Sequence, residues 1–175
     1  PQVADCDIAQ ALGGNLCRCT GYRPIVDAAH AALSGRRPDR FDETAAATRD
    51  RLRAISNGEV GEPALDTADT RYFRPQTCEE LCTLLDEYPD ARIVAGGTDL
   101  LLEVTQQLVQ LPCIIDLAGI ASLRETRVDA DAITLGATVT HHDARDSILA
   151  DYPELAELIE RFGSLQIRCA GTVAG

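Results

Sequence analysis

Three features of the sequence predict an α+β fold in two unequal parts. Residues 1–34 read as a short helical segment that carries two closely spaced cysteines. Residues 71–175 alternate strand patterns with helix patterns, the mark of a mixed helix and sheet domain. Residues 35–70 lie between them, charged and broken by Gly and Pro, and read as a solvated linker. The 175 residues suffice for one medium domain or two small ones.

The helical segment opens with an apolar stripe at Ile8, Ala9 and Leu12, ended by Gly13-Gly14. Cys6 reads as a buried residue of that helix. After the cysteine loop, Pro24 suits a first helical turn, and an alanine-rich helix over 25–33 stops at Ser34-Gly35. In the linker, residues 42–55 read as one helix with Asp42 as its possible cap. Tyr72-Phe73 then forms a short strand. Thr77, with Glu80 three residues later, spells a capping box, and Leu81, Leu84 and Leu85 give the stripe of a helix ending near Tyr88. Residues 91–95 read as a buried strand, 96–99 as a turn, 100–107 as a helix and 113–117 as a second buried strand. A hairpin over 124–135 turns at Asp129-Ala130-Asp131. Residues 136–140 lead into a helix near Asp143, 154–167 form a last long helix, and 170–175 a second turn of small residues.

Composition excludes several function classes. Hydrophobic residues make up 45%, enough for a core, but aromatics only 4%, so that core is built from Leu, Ile, Val and Ala. A net charge of -12 argues against nucleic acid and anionic membrane surfaces as partners. No apolar run reaches the length of a membrane span. Seven cysteines is an odd number, and Cys6, Cys78, Cys82, Cys113 and Cys169 are scattered, which suits a reducing cytoplasm better than a disulfide framework.

Two motifs carry chemistry. In Gly14-Asn15-Leu16-Cys17-Arg18-Cys19-Thr20-Gly21-Tyr22 two thiols sit one residue apart between glycines. Thiolates this close repel, and a soft metal would relieve the repulsion. Spacing alone fits a metal site and a pair of small half-buried residues equally well. In Ile93-Val94-Ala95-Gly96-Gly97-Thr98-Asp99-Leu100 a strand leads through glycines into a helix. Such a turn exposes consecutive N–H groups, and without Cβ atoms it lets a pyrophosphate approach. It is neither a Rossmann fingerprint nor a Walker loop, and alone a plain strand–helix turn is the commoner reading. His141-His142 reads as a solvated strand end whose side chains diverge, His30 as exposed or half-packed, and Glu79-Glu80 and Glu154/Glu157 as surface acids. No Ser–His–Asp arrangement is present.

The run from Gly14 to Ile25 resembles the second [2Fe–2S] motif of the xanthine dehydrogenase/aldehyde oxidase family of molybdenum hydroxylases. Residues 93–100, together with Ile114-Asp116-Leu117, Leu135-Gly136-Ala137-Thr138, Gln166-Ile167-Arg168 and the closing turn, resemble that family's flavin domain. The resemblance implies that Cys17 and Cys19 are cluster ligands, half of a four-cysteine set. The other half would be a Cys-x-x-Cys pair that this sequence lacks, so the chain is expected to be a piece of a longer protein. It implies that Ile93, Val94, Ala95, Gly96, Gly97, Thr98, Asp99 and Leu100 wrap the FAD pyrophosphate and ribose. Phe162 and Gly163 would approach the flavin, and Thr172 and Gly175 would contact FAD. Arg18, between the thiolates, would offset the cluster's negative charge. The implied architecture is a helical [2Fe-2S]-type segment (1–34), a linker (35–70) and the first part of an α/β FAD-binding domain of PCMH type (71–175), both domains incomplete.

That order is the one found in the small subunit of xanthine dehydrogenases. It implies electron transfer from a molybdenum cofactor on a molybdopterin-binding large subunit, through [2Fe-2S] clusters to FAD and then NAD+, during purine oxidation. The protein would be a cytoplasmic hetero-oligomer, with no catalytic or purine-binding residue in this stretch. Two other readings stay open: the small subunit of an aldehyde oxidase-type enzyme, and a non-catalytic truncated fragment.

Overall fold

The computed structural model describes residues 4–18, 21–35, 37–56, 65–67 and 69–175. The chain divides into two compact units, residues 1–61 and 62–175. The loop expected over 57–64 lies outside the described residues.

In the first unit, helix α1 (Asp5–Leu12) carries Asp5 and Asp7 in its first turn, where acids suit the helix dipole, and ends at Gly13. Its buried residue is Ile8. Cys6, expected to be buried, is exposed, because two helical positions turn it about 200° away from Ile8. Helix α2 (Tyr22–Ser34) holds Pro24 in its first turn, where a missing N–H costs little. His30 Nε2 lies 2.7 Å from Asp5 Oδ1 and ties α2 to α1. Helix α3 (Arg40–Ser56) starts earlier than expected. Its cap is Asp39, whose Oδ1 accepts from the N–H groups of Phe41 and Asp42 at 2.7 and 3.1 Å. Asp42 reaches back to accept from the Asp39 N–H at 3.1 Å, so it is the second half of the cap rather than the cap itself.

The second unit is built on a four-stranded sheet. It begins with β1 (Leu65–Asp66) and β2 (Arg71–Phe73). Helix α4 (Cys78–Glu87) starts at Thr77, whose hydroxyl accepts from the Glu80 N–H at 3.1 Å. The Glu80 carboxylate accepts from the Gln76 N–H at 2.7 Å, one residue beyond a strict capping box. Next come β3 (Arg92–Val94), α5 (Leu100–Thr105) and β4 (Cys113–Asp116). The strand order is β1-β2-β4-β3, with β2 and β3 both parallel to β4. Central β4 buries Ile115 completely. Strand β3, expected to be buried, lies at the sheet edge with Ile93 47% exposed. An apolar triplet does not reveal whether both of its faces are covered.

Two short 3-10 turns, Leu117–Gly119 and Ala121–Arg124, follow β4 and bury Ile120 between them. Asp116 accepts from the Ala118 N–H at 2.8 Å and from the Tyr72 hydroxyl, joining β2 to the end of β4. Burial first, then the hydrogen bond to Asp116 and the nearby negative charge, push the Tyr72 hydroxyl up to about 12. A folded value above the unfolded one contributes stability that is complete below pH about 10 and lost as pH rises towards about 12. Tyr72→Phe is therefore expected to cost about 1 kcal/mol at neutral pH and to flatten the alkaline limb of the unfolding profile. Denaturant titrations at pH 7 and across pH 9–12 check this, and an unchanged alkaline limb would contradict it.

The hairpin β5 (Thr126–Val128) and β6 (Ile133–Leu135) closes where Asp129 N–H donates to Ala132 O at 2.9 Å, at the turn the sequence predicted. Helix α6 (His141–Asp151) is capped by Thr140, which accepts from the Asp143 N–H at 3.0 Å. His141 and His142 thus occupy a helical first turn rather than a strand end. The long helix expected over 154–167 is broken into a 3-10 turn (Pro153–Leu155), α7 (Ala156–Arg161) and α8 (Leu165–Ala170). Gly163, at φ 57°, reverses the chain, and Ser164 caps α8 by accepting from the Ile167 N–H at 3.2 Å. The buried core of this unit includes Leu111, Ile115, Ile120, Val139 and Ala144, the aliphatic core that the composition predicted.

Candidate cofactor sites

The glycine turn lies at the carboxyl end of β3, the place where parallel sheets accept ligands. Val94 ends the strand and Leu100 begins α5. Arg92 and Glu103 form a two-pronged ion pair of 2.8 and 2.6 Å that ties the strand before the turn to the helix after it. The Arg92 guanidinium holds the Glu103 carboxyl below its usual range. Gly97 has φ 70°, a left-handed conformation that glycine adopts without strain. Leu101 N–H donates to Gly97 O at 3.1 Å and Leu102 N–H to Asp99 O at 2.9 Å, which starts the helix. Among the described residues, the N–H groups of Gly96, Gly97, Thr98 and Asp99 donate to no protein acceptor. Four consecutive unspent donors around a glycine pair make an anion cradle.

The closing turn packs directly onto this cradle, a juxtaposition that sequence spacing did not reveal. A Cβ on Gly96 would overlap the Ala170 carbonyl oxygen and lie 2.8 Å from its carbon and 3.0 Å from Gly171 Cα. A Cβ on Gly171 would lie 3.3 Å from Thr98 Oγ1 and 3.6 Å from His141 Cδ2. His141 N–H donates to Gly171 O at 3.0 Å and Val173 N–H to Val139 O at 2.9 Å, pairing the turn with the start of α6. The His141 ring lies 4.6 Å from the Phe162 ring, centroid to centroid. Gly96, Thr98, Thr172 and Phe162 therefore belong to one end of the domain. Thr98 and Asp99 are exposed, whereas Val94, Ala95 and Leu100 are half-buried and anchor the turn. Ile93 sits exposed on the edge strand. Gly163 forms the reversal beside Phe162, and Gly175 has φ 103° with open space around it.

Two features fit a dinucleotide cofactor here. The Cβ-free backbone with unspent donors suits a pyrophosphate. The Thr172 hydroxyl is buried and has no partner among the described residues, a cost that a polar ligand would remove. Sequence reasoning named His141 and Arg168 but not their roles at this end, reading the first as a solvated strand end and the second only as part of the flavin-domain resemblance. A signal for the first existed in Thr140-x-x-Asp143, a helix-start pattern that places His141 in the first turn.

The cysteine loop belongs to the first unit. Cys17 is half-buried, and its N–H donates to the Tyr22 hydroxyl at 2.9 Å. Gly21 N–H donates to Cys17 Sγ at 3.2 Å, the kind of bond that stabilises a ligating thiolate. Arg18 is exposed. Cys19 lies outside the described residues. A [2Fe–2S] cluster takes four protein ligands, and among the described residues no three potential ligands gather in one place. The loop's donor chemistry fits as one half of such a set.

A glycine cradle closed by a second small-residue turn, and a cysteine loop in the other unit, are the two places in the described residues whose chemistry fits a cofactor. The chain belongs to the molybdopterin dehydrogenase family, its residues 67–175 matching the model of the "FAD binding domain in molybdopterin dehydrogenase". Residues 1–30 match the model of a [2Fe-2S] binding domain. The nicotinate dehydrogenase FAD-subunit of Eubacterium barkeri is 34% identical over 111 residues, which cover 61% of this chain and 38% of that one. Xanthine dehydrogenase of Drosophila pseudoobscura pseudoobscura is 27% identical over 169 residues, 77% of this chain and 13% of the relative. The crystal structure of quinoline 2-oxidoreductase from Pseudomonas putida 86 superposes with a TM-score of 0.55 at 30% identity, over 66% of this chain and 40% of that one. The chain thus spans less than half the length of each. Among the described residues, no helix is long and apolar enough to cross a membrane.

Proposed function

We propose that this chain is the iron–sulfur and flavin portion of a xanthine dehydrogenase, working in the cytoplasm beside a molybdopterin-binding large subunit in a hetero-oligomer. The observation that carries the reading is the row of four unspent N–H donors at residues 96–99, closed over by the turn at 170–172. In this reading Gly96, Gly97, Thr98 and Asp99 bind the FAD pyrophosphate, Thr172 gives its orphaned hydroxyl to the cofactor, and Phe162 flanks the flavin. Val94, Ala95 and Leu100 hold the cradle's shape, and Ile93 and Gly175 border it. Cys17 and Cys19 ligate the cluster, with Gly21 N–H steadying the first thiolate. Bound FAD supplies the exchange between single electrons and a hydride, which it can deliver to NAD+. The protein contributes placement and the electrostatics around the carriers.

The 34% identity to a nicotinate dehydrogenase FAD-subunit favours a second reading, the small subunit of another molybdenum hydroxylase, the class that also holds aldehyde oxidase-type enzymes. Anaerobic addition of xanthine to the complete enzyme is expected to bleach both the flavin and the iron–sulfur absorbance, and NAD+ to restore them. Bleaching by an aldehyde or by nicotinate but not by xanthine would establish the second reading. A colourless, iron-free protein would remove both.

A further inference from the structure

Arg168 is charged, lies in α8 and is only 8% exposed. Its Nη1 donates to three main-chain carbonyls, Glu160 O at 3.1 Å, Phe162 O at 3.0 Å and Gly163 O at 3.1 Å. Among the described residues no carboxylate pairs with it. Its charge is met by carbonyl dipoles at the carboxyl end of α7, where a cation is favoured and where helix carbonyls lack intrahelical partners. Capping alone would require one or two of those carbonyls, all in the last helical turn. Arg168 instead also grips the carbonyls of both corner residues, Phe162 and Gly163, where Gly163 has φ 57°. The corner ends with a large aromatic ring 47% exposed. That ring rests on the His141 ring, and the His141 N–H donates to Gly171 O of the cofactor end at 3.0 Å.

We propose that Arg168 is a positioning residue for the flavin end of the cofactor: by holding the carbonyls of Glu160, Phe162 and Gly163, it aims the Phe162 ring at the site bounded by the two glycine turns. The proposal rests on the FAD reading above. A guanidinium is suited to the task, because the two hydrogens of its rigid, planar Nη1 group are shared among the three carbonyls and hold them together. With all three carbonyls drawn inward, the corner can swing only by breaking hydrogen bonds to a buried charge. The exposed ring is thereby held in one orientation before any ligand arrives, and preorganisation of this kind lowers the ordering cost of binding.

The complete apoprotein is titrated with FAD and, separately, with ADP, which shares the adenosine and pyrophosphate but has no flavin ring. Arg168→Gln is expected to weaken FAD about tenfold and to leave ADP unchanged. Phe162→Leu, which keeps the clamp and removes the ring, gives the same split. Arg168→Lys, a charged substitute without the planar fork, shows the split in smaller degree and decides the matter if Arg168→Gln does not fold. Equal weakening of FAD and ADP in the Arg168 variants would reduce the residue to a structural cap and overturn the proposal, as would unchanged FAD affinity. A wild-type protein that takes up neither ligand overturns the flavin reading, and this proposal with it.

Discussion

Gly97→Val is expected to yield a complete protein that folds and keeps its iron but carries no flavin. Two costs separate cleanly at this position. Against the fold, φ 70° places a β-branched residue in the left-handed region, worth about 1–3 kcal/mol. The new Cβ would also approach Leu101 Cδ1 at 3.1 Å. That atom is the tip of a flexible side chain and can yield. Against the ligand, two methyl groups are added to the middle of the donor row at residues 96–99, which a pyrophosphate must approach to hydrogen-bond distance. Losing two charge-assisted hydrogen bonds at about 1.5–3 kcal/mol each weakens binding at least a hundredfold. Iron and flavin analysis of the purified variant gives the ratio directly. A flavin content equal to wild type would mean that the cradle is an ordinary strand–helix turn.

The parts of this site that the sequence made legible are those written in neighbouring residues. Gly96-Gly97 between an apolar triplet and a leucine-rich run announces strand, turn and helix, and Thr77 and Asp129 mark a helix start and a hairpin in the same local way. What stayed hidden depends on contacts between distant segments. Nothing in residues 93–100 shows that Gly96 is glycine because the Ala170 carbonyl leans against it. Nothing in the apolar spacing of Leu155, Leu158, Ile159, Phe162 and Leu165 shows a break, since the helical period runs through Gly163 uninterrupted. Only the left-handed glycine followed by a serine cap marks it. The grip of Arg168, a residue the Gln166-Ile167-Arg168 motif did include, is illegible for a further reason: its acceptors are main-chain carbonyls, which every residue carries, so composition holds no trace of them. The same limit explains Cys6, whose neighbour Ile8 takes the single buried position of a short helix, and Ile93, whose open face belongs to an edge that strand order alone establishes.

Gly96→Ala tests the junction of the two turns, and its expected effect on the fold exceeds that of Gly97→Val although the substitution is smaller. The atoms in the way are main chain: the Ala170 carbonyl oxygen, its carbon at 2.8 Å and Gly171 Cα at 3.0 Å. No rotamer relieves such an overlap, so the closing turn must move off the cradle. Moving it strains the bridge between Thr140 and Thr172 and the bond from His141 N–H to Gly171 O. A loss of about 2–4 kcal/mol in the stability of the second unit follows from overpacking combined with strained hydrogen bonds. Flavin is lost as well, because Thr172 leaves with the turn, while the iron content of the first unit is unaffected. Thermal unfolding of the variant should therefore show the flavin-domain transition lowered by several degrees. Restoring the transition with a second substitution at Ala170 is not expected, since the clash is with backbone that every residue shares. An alanine at 96 that left both the transition and the flavin in place would mean that the two turns do not touch, and the common site would dissolve into two unrelated loops.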